Sequence, residues 1–425
     1  MTAEQIADLG PAFSSFLGLF RRFFPRLPTF LHLGTYCRGL LSDLARKSVE
    51  PIALAAGAAV RTLQEFLTHH AWDHSGMRDA VQRRIVREHL PAPGDAPADG
   101  IGVVGWVDET GVAKKGDKTP GVQRQWCGSS GKVDNCIVTV HLAVRHGSFM
   151  AMLDSDLFLP EHTWHEDRDR CEEAHIPESV VYRPKSAIAL EQIKRAVANG
   201  VRFDWLTFDE WYGSKPAFLA DLDEIGLLYV CEVPKNFLCF PSLPRYRSLQ
   251  KPFQPKRVDN AVIHGKPFLG KKWRKISLER KTLGPQVWQI KADQVYLARG
   301  GEPTPRTYWL IVARNVATKE IKYFVSNAPP QTAVILLMKV AFTRAGVEHV
   351  FRIAKSEIGF SHFEGRSYRG LLRHMTLCQI VMLFVAEQTD RLRGEKSGSD
   401  DGADGTSAEH LVSTLAGTPL QAISN

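Results

Sequence analysis

The sequence predicts an α/β protein: a helical N-terminal region, then a strand-and-helix core interrupted by a β-rich segment. Three observations predict it. Apolar residues recur at three- and four-residue spacing through the first ninety positions. Hydrophobic strands alternate with amphipathic helices from about residue 101 to 234. Between 235 and 327 that alternation gives way to aromatic and β-branched runs set among proline-rich and basic stretches.

The chain has 425 residues, 44% hydrophobic and 24% charged, enough for roughly two or three units of ordinary domain size. No uninterrupted apolar run reaches the roughly 20 residues that cross a bilayer. The first arginines follow the apolar stretch instead of preceding it, unlike a secretory signal. Seven scattered cysteines with no C-x-x-C argue against a disulfide framework or structural zinc and fit a reducing cytoplasm. The 54 basic against 46 acidic residues give a net charge of +8, which leans toward a polyanionic partner.

Taken in order, residues 1–92 read as helices. Pro51 stands at a helix start and Gly57 between two short helices, a pattern compatible with either a helix-turn-helix or an ordinary helical hairpin. "LPAPGDAPADG" is a linker. The core's first part, 93–234, holds strands at "IGVVGWVD", "CIVTVHLAVRHGSFMAMLDSDLFLP", "FDWLTFDEWYG" and "LLYVCEVP", with helices at "AIALEQIKRAVANG" and "KPAFLADLDEIG". The β-rich insertion, 235–327, contains "QVWQIKADQVYLAR", "RTYWLIVARN" and "EIKYFVSN". Helices return at 328–393, and the acidic, apolar-poor tail 394–425 reads as disordered.

Two strands end alike, at Asp108-Glu109 and at Asp209-Glu210. Alternation sends one acid of each pair to one face and its neighbour to the other. Carboxylates brought together from adjacent strands repel unless a cation lies between them, and hard divalent ions are the usual answer. Glu109 and Glu210 are the alternates should a register be off by one. Far downstream, in "FTRAGVEHVFRIAK", Arg344, Glu348 and Lys355 fall within about 40° of one another on a regular helix. Val347, Phe351, Ala354 and Ile358 form the neighbouring apolar stripe. On spacing alone, a solvated face with an Arg–Glu pair explains the polar line equally.

These blocks resemble the DDE-type insertion-sequence transposases, in particular the insertion-sequence family numbered 701 within the group related to the family numbered 4. The likeness runs through "LLSDLARKSVEPIA", "TLQEFLTHHAWD", "VDETGVAKKG", "GVQRQWCGSSGKVDNC", "LPEHTW", "AHIPESVVYRPKSAIAL", "FDWLTFDEWYG" and "AKSEIGFSHFEGRSYRGLLRHMTL", most of residues 35 to 385. The group's third acid sits in a pattern of Tyr, two residues, Arg, three residues, Glu, six residues, Lys. Arg344, Glu348 and Lys355 fit it, whereas Ala341 replaces the tyrosine, and Ala345 and Gly346 stand where bulkier residues are usual.

The resemblance implies an RNase H-like catalytic core, with Asp108, Asp209 and Glu348 as catalytic residues holding two Mg2+ (or Mn2+) ions, and Arg344 and Lys355 on phosphates of the transposon end. It implies cleavage of double-stranded DNA, 3′-hydroxyl strand transfer into target DNA, a homodimer in the DNA complex, no membrane, and a bacterial cytoplasmic location on the nucleoid. The alternatives are a domesticated or inactive DNA-binding relative, and an RNase H-like nuclease without strand transfer. Lys114, Lys115 and Lys118 would draw the DNA backbone across Asp108 or else belong to a solvated turn. The segment 251–281 carries ten Lys or Arg against two acids. Within it Lys271, Lys272 and Arg274 are candidates for phosphate contact and Trp273 for stacking on a displaced base; Trp288 reads as a buried residue of the β domain. "HTWHEDRDRCEEAH" lacks zinc-ligand spacing.

Overall fold

Amphipathic spacing in the N-terminal region is realised as five helices: α1 (Ala3–Gly18), α2 (Leu27–Leu41), α3 (Val49–Ala55), α4 (Val60–Thr68) and α5 (His74–His89). The computed structural model describes residues 3–92, 95, 97, 99–243, 254–278 and 286–397, with only the backbone described at 3–7 and 394–397. The expected disordered tail lies outside these residues from 398 onward, and so do 251–253 and 279–281 of the basic segment. Between α3 and α4, Gly57 takes a left-handed φ of 62°, the conformation that glycine adopts without a Cβ penalty. Asp73 caps α5 by accepting a hydrogen bond from the Gly76 amide.

Next in the chain come β1 (Val104–Ala113), β2 (Gln123–Cys127), β3 (Lys132–His146), β4 (Phe149–Phe158), α6 (Arg168–Glu173) and α7 (Lys185–Ala198). They are followed by β5 (Trp205–Phe208), α8 (Glu210–Gly213), α9 (Pro216–Glu224), β6 (Val230–Val233), β7 (Leu238–Phe240), β8 (Lys256–Arg257) and α10 (Val258–His264). The remainder comprises β9 (Arg274–Leu278), β10 (Gln286–Arg299), β11 (Glu302–Pro303), β12 (Tyr308–Asn315), β13 (Ile321–Ser326), α11 (Val334–Thr343), α12 (Ala345–Arg352) and α13 (Tyr368–Ser397).

Two compact units share these elements. Among the described residues, the first comprises 3–92, 108–201 and 346–397. In it β3 pairs antiparallel with β4 and with β2, α7 lies against β3 and β4, and α13 packs against β4, α5, α2 and α4. Leu377, Ile380, Val381, Leu383 and Phe384 of α13 are almost wholly buried, each worth roughly 1.5–3 kcal/mol in apolar burial. Although the 26-residue stretch Tyr368–Arg393 is long and apolar enough to cross a bilayer, 89% of its apolar window is packed inside the protein. The core explains its hydrophobicity.

The second unit comprises the described residues within 95–107 and 202–345. Here the first half of β1 runs parallel to β5, and β6 leads into a largely antiparallel sheet in the order β6-β13-β12-β10-β7-β8, with β9 and β11 also on β10. Trp288 is buried, its ring 4.9 Å from Phe342. Asp223 gathers Arg299, Arg306, Tyr308 and Asn327 into a polar knot. All seven cysteines are free and buried. The architecture is α/β with a helical N-terminal region and a β-rich insertion.

Candidate active site

Asp108 differs from expectation in its local structure. It is not at a strand end: β1 continues through Glu109 to Ala113, because Thr110 and Val112 stay buried. Gly111 permits this, since a Cβ there would lie 2.9 Å from Cys127 Sγ. Asp108 is half-buried after six buried residues, and its Oδ1 accepts from the Glu109 amide at 2.8 Å. Glu109 points elsewhere, forming an ion pair with Lys185 at 2.6 Å.

Lys355 lies close enough to Asp108 to feel its charge. Burial lowers the Lys355 pKa and the Asp108 carboxylate opposes that shift. Its ammonium is 5.9 Å from the centre of the Phe351 ring. Behind it, His141 is fully buried between Thr139 Oγ1 and Ser155 Oγ, both at 2.8 Å. Burial and the Lys355 charge push the His141 pKa down to about 3, so its imidazole is neutral near pH 7.

Asp209 is held by a different device. It directly follows β5 and caps α8, with Oδ1 accepting from the Trp211 amide at 3.1 Å and the Tyr212 amide at 3.2 Å. The last register pair of β1 and β5 is Val107 with Phe208; Asp108 is the next residue of β1, and Asp209 follows Phe208 in the chain. Glu210 is exposed.

The helix expected to carry Arg344, Glu348 and Lys355 is not regular. α11 ends at Thr343, Arg344 is a half-buried turn residue, and α12 starts at Ala345. Gly346 in its first turn weakens helical continuity by roughly 1 kcal/mol relative to alanine. Beyond Arg352 the helix widens into a π turn over Ile353–Glu357 that contains Lys355. The apolar stripe nonetheless holds: Val347, Phe351, Ala354 and Ile358 are buried, and Glu348 is exposed.

Several expected DNA-contact residues are engaged internally. Lys114 donates to the carbonyls of Ser361 and Phe363, and burial pushes its pKa down to about 8. Lys118 pairs with Glu173 at 2.6 Å. Lys271 donates to Ala292 O at 2.8 Å and pairs with Asp293 at 2.5 Å. Trp273 is half-buried, with Lys291 at 5.1 Å and Arg314 at 4.7 Å from its ring centre. Lys115, Lys272 and Arg274 are exposed.

One exposed pair escaped the sequence reading. Trp126 and Val133 are cross-strand partners on the β2–β3 hairpin, 61% and 53% exposed, flanked by exposed Arg124 and Lys132. The alternation in "VQRQWC" was the available signal.

Asp108, Asp209 and Glu348 offer oxygen donors of the kind that hard divalent cations take. Among the described residues, no three His, Cys, Asp or Glu side chains are gathered into a group that could hold a metal ion.

Comparison with known proteins gives these residues a context. The chain is similar to the probable transposase for insertion sequence element IS701 of Microchaete diplosiphon, with 28% identity over 357 residues, covering 82% of this chain and 80% of that protein. The sequence model described as DDE superfamily endonuclease matches residues 22–290, a span that includes Asp108 and Asp209 and stops before Glu348. With more than half of its length matched, the chain belongs to the DDE superfamily endonucleases, enzymes that act on DNA.

Proposed function

We propose that this protein is an insertion-sequence transposase that cuts double-stranded DNA at the ends of its element and transfers the freed 3′-hydroxyl into target DNA. The observation that carries this reading is the common position of Asp108 and Asp209 immediately after the last register pair of β1 and β5, in a chain of this superfamily. The named function of the IS701 relative supports it.

In this reading Asp108, Asp209 and Glu348 hold two Mg2+ or Mn2+ ions, which when bound supply activation of water and a clamp on the attacking and leaving oxygens. Asp209 has Oδ1 committed to backbone amides, which fixes its carboxyl plane with Oδ2 taking part in neither bond. Lys355 and Arg344 orient phosphate oxygens of the scissile strand. Exposed Lys115, Lys272 and Arg274 attract the backbone, while the N-terminal helices 1–92 and the insertion 235–327 grip the ends. Two ends need two sites, so the working complex is a homodimer on DNA, in the cytoplasm at the nucleoid.

The break at Arg344, together with Ala341 in the tyrosine position, favours one second reading: a relative that binds DNA without cutting it. Purified protein incubated with Mg2+ or Mn2+ and DNA bearing the element's ends separates these readings. Nicking and joining, both abolished by Asp108→Ala with DNA binding retained, establish the transposase. Binding with no nicking under either metal establishes the second reading, and nicking without joining indicates a plain nuclease.

A further inference from the structure

A pocket of about 730 Å3 in the first unit lies outside the carboxylate site. Its walls come from the turn before α2 (Arg22, Phe23), the connection between α4 and α5 (His69 to Asp73), the first residue of α5 (His74) and the first turns of α13 (Arg369, Arg373). Three arginines and three histidines face one acid, Asp73, which serves as the N-cap of α5.

Arg373 is the centre of the pocket's charge. It is 3% exposed, stacks 4.4 Å from the Trp72 ring centre, and donates to the carbonyls of Phe66, Leu67 and Trp72 at 3.3, 3.1 and 2.9 Å. Its buried Nε has no partner, and neither has Nδ1 of His70 in the same wall. Burial and the neighbouring Arg369 push the Arg373 pKa down to about 10. His74 is pushed down to about 4, first by burial and then by Arg373, Arg78 and Arg369, so it adds a neutral ring.

Among the described residues, none of Arg22, Arg369 and Arg373 has a carboxylate partner. A buried guanidinium without a counter-ion is costly even when carbonyls take its N–H groups, and two exposed guanidinium groups lining the same pocket suit a tetrahedral oxyanion. The N-terminus of the 16-residue helix α5 adds its partial positive charge at the same wall.

We infer that this pocket clamps a phosphate of the DNA backbone through the exposed Arg22 and Arg369, with the buried charge of Arg373 behind them, away from the reacting carboxylates. The inference rests on DNA being the substrate but not on any cleavage chemistry. It is tested by binding of the full-length protein to a labelled duplex of arbitrary sequence without divalent metal, across a salt series. The exposed side chains of Arg22 and Arg369 can be replaced without disturbing the core, so R22Q/R369Q is the main variant and R373Q the second.

The double variant should bind roughly tenfold more weakly, with the slope of log affinity against log salt reduced by about 1. R22K/R369K should keep the wild-type slope while losing part of the affinity, because charge is retained without the fork. Inorganic phosphate at matched ionic strength should displace the duplex from wild type better than from R22Q/R369Q. Unchanged affinity and slope in R22Q/R369Q would overturn the inference. So would protection of the wild type against thermal unfolding by inorganic phosphate with duplex binding unaltered, since that marks a site for free phosphate. A reduced slope in a protein that nicks no DNA under any metal upholds the clamp and removes the transposase reading; active nicking with an unchanged slope does the reverse.

Discussion

Asp108 and Asp209 carry the same Asp-Glu signature after the same kind of hydrophobic run, yet the fold secures them differently. Asp108 sits inside a ten-residue strand, with Lys355 as its charged neighbour and neutral His141 behind. Asp209 sits at a strand-to-helix junction and is pinned by two backbone amides. Their glutamates diverge as well: Glu109 is ion-paired with Lys185, while Glu210 is exposed. Asp108 lies within the pleat beside the Lys355 charge and accepts from the amide of its own neighbour Glu109, whereas Asp209 accepts from two amides of the helix it caps. Substitutions should therefore separate chemistry from structural support differently at the two positions.

The largest expected effect tests what the two share. On the proposed reading, Asp108→Asn and Asp209→Asn should each lower nicking of end DNA in the presence of Mg2+ or Mn2+ by more than about a hundredfold, because each would replace a proposed charged oxygen ligand with a neutral amide. Retention of nicking within tenfold of wild type at either position would remove that residue from the proposed site. The next effect is where they should part. Asp209→Ala removes the cap of α8 and should cost about 1 kcal/mol in urea unfolding, whereas Asp209→Asn retains a capping oxygen and should cost little. Asp108→Ala removes no cap and should unfold close to wild type. Equal losses for the two alanine variants would erase the distinction.

Legibility in the sequence followed the same divide between periodic and non-local information. The runs "QVWQIKADQVYLAR" and "EIKYFVSN" became β10 and β13, and "AIALEQIKRAVANG" became most of α7, because side-chain period is a local property. The lysines after Asp108 do lie in or beside a bend at 115–117, but buried Thr110 and Val112 keep β1 extended through Gly111 to Ala113, so the strand runs past Asp108. The line Arg344–Glu348–Lys355 assumed an unbroken helix, and the break at Arg344 and the π turn at Ile353–Glu357 depend on packing that spacing does not encode. Counting basic residues does not show partners: the ammonium groups of Lys114 and Lys271 bind carbonyls, and that of Lys271 also binds Asp293. Counting also overlooked Arg373, which meets Trp72 across three hundred residues of chain. Charge locates a binding surface only once its partners are known.

A smaller effect concerns acid. His141 is held down to about 3, and His74 and His374 to about 4, chiefly by burial. Each has a folded pKa below the ordinary value of 6.5, so the unfolded chain binds more protons between those limits. Their stabilisation is full above about pH 6.5 and declines as pH falls toward the folded values. The first unit should lose stability across that window. His141→Gln, which retains a donor and an acceptor for Thr139 and Ser155, should lose less between pH 6.5 and 4 than wild type, measured as urea midpoint against pH. Parallel wild-type and variant profiles would show that His141 does not contribute.

The smallest effect isolates the Asp108 environment from everything else. The Lys355 ammonium is disfavoured by burial and favoured by the Asp108 carboxylate, which leaves its pKa below the ordinary lysine value. Asp108→Asn removes the favourable contribution and leaves the burial, so the Lys355 pKa should fall further. Isotope-labelled lysine NMR titration follows that group directly, with no metal or DNA present. The sign is diagnostic: a rise, or no change, would mean that Asp108 and Lys355 do not share a field, and the charge-based positioning that sets Asp108 apart from the amide-pinned Asp209 would fail.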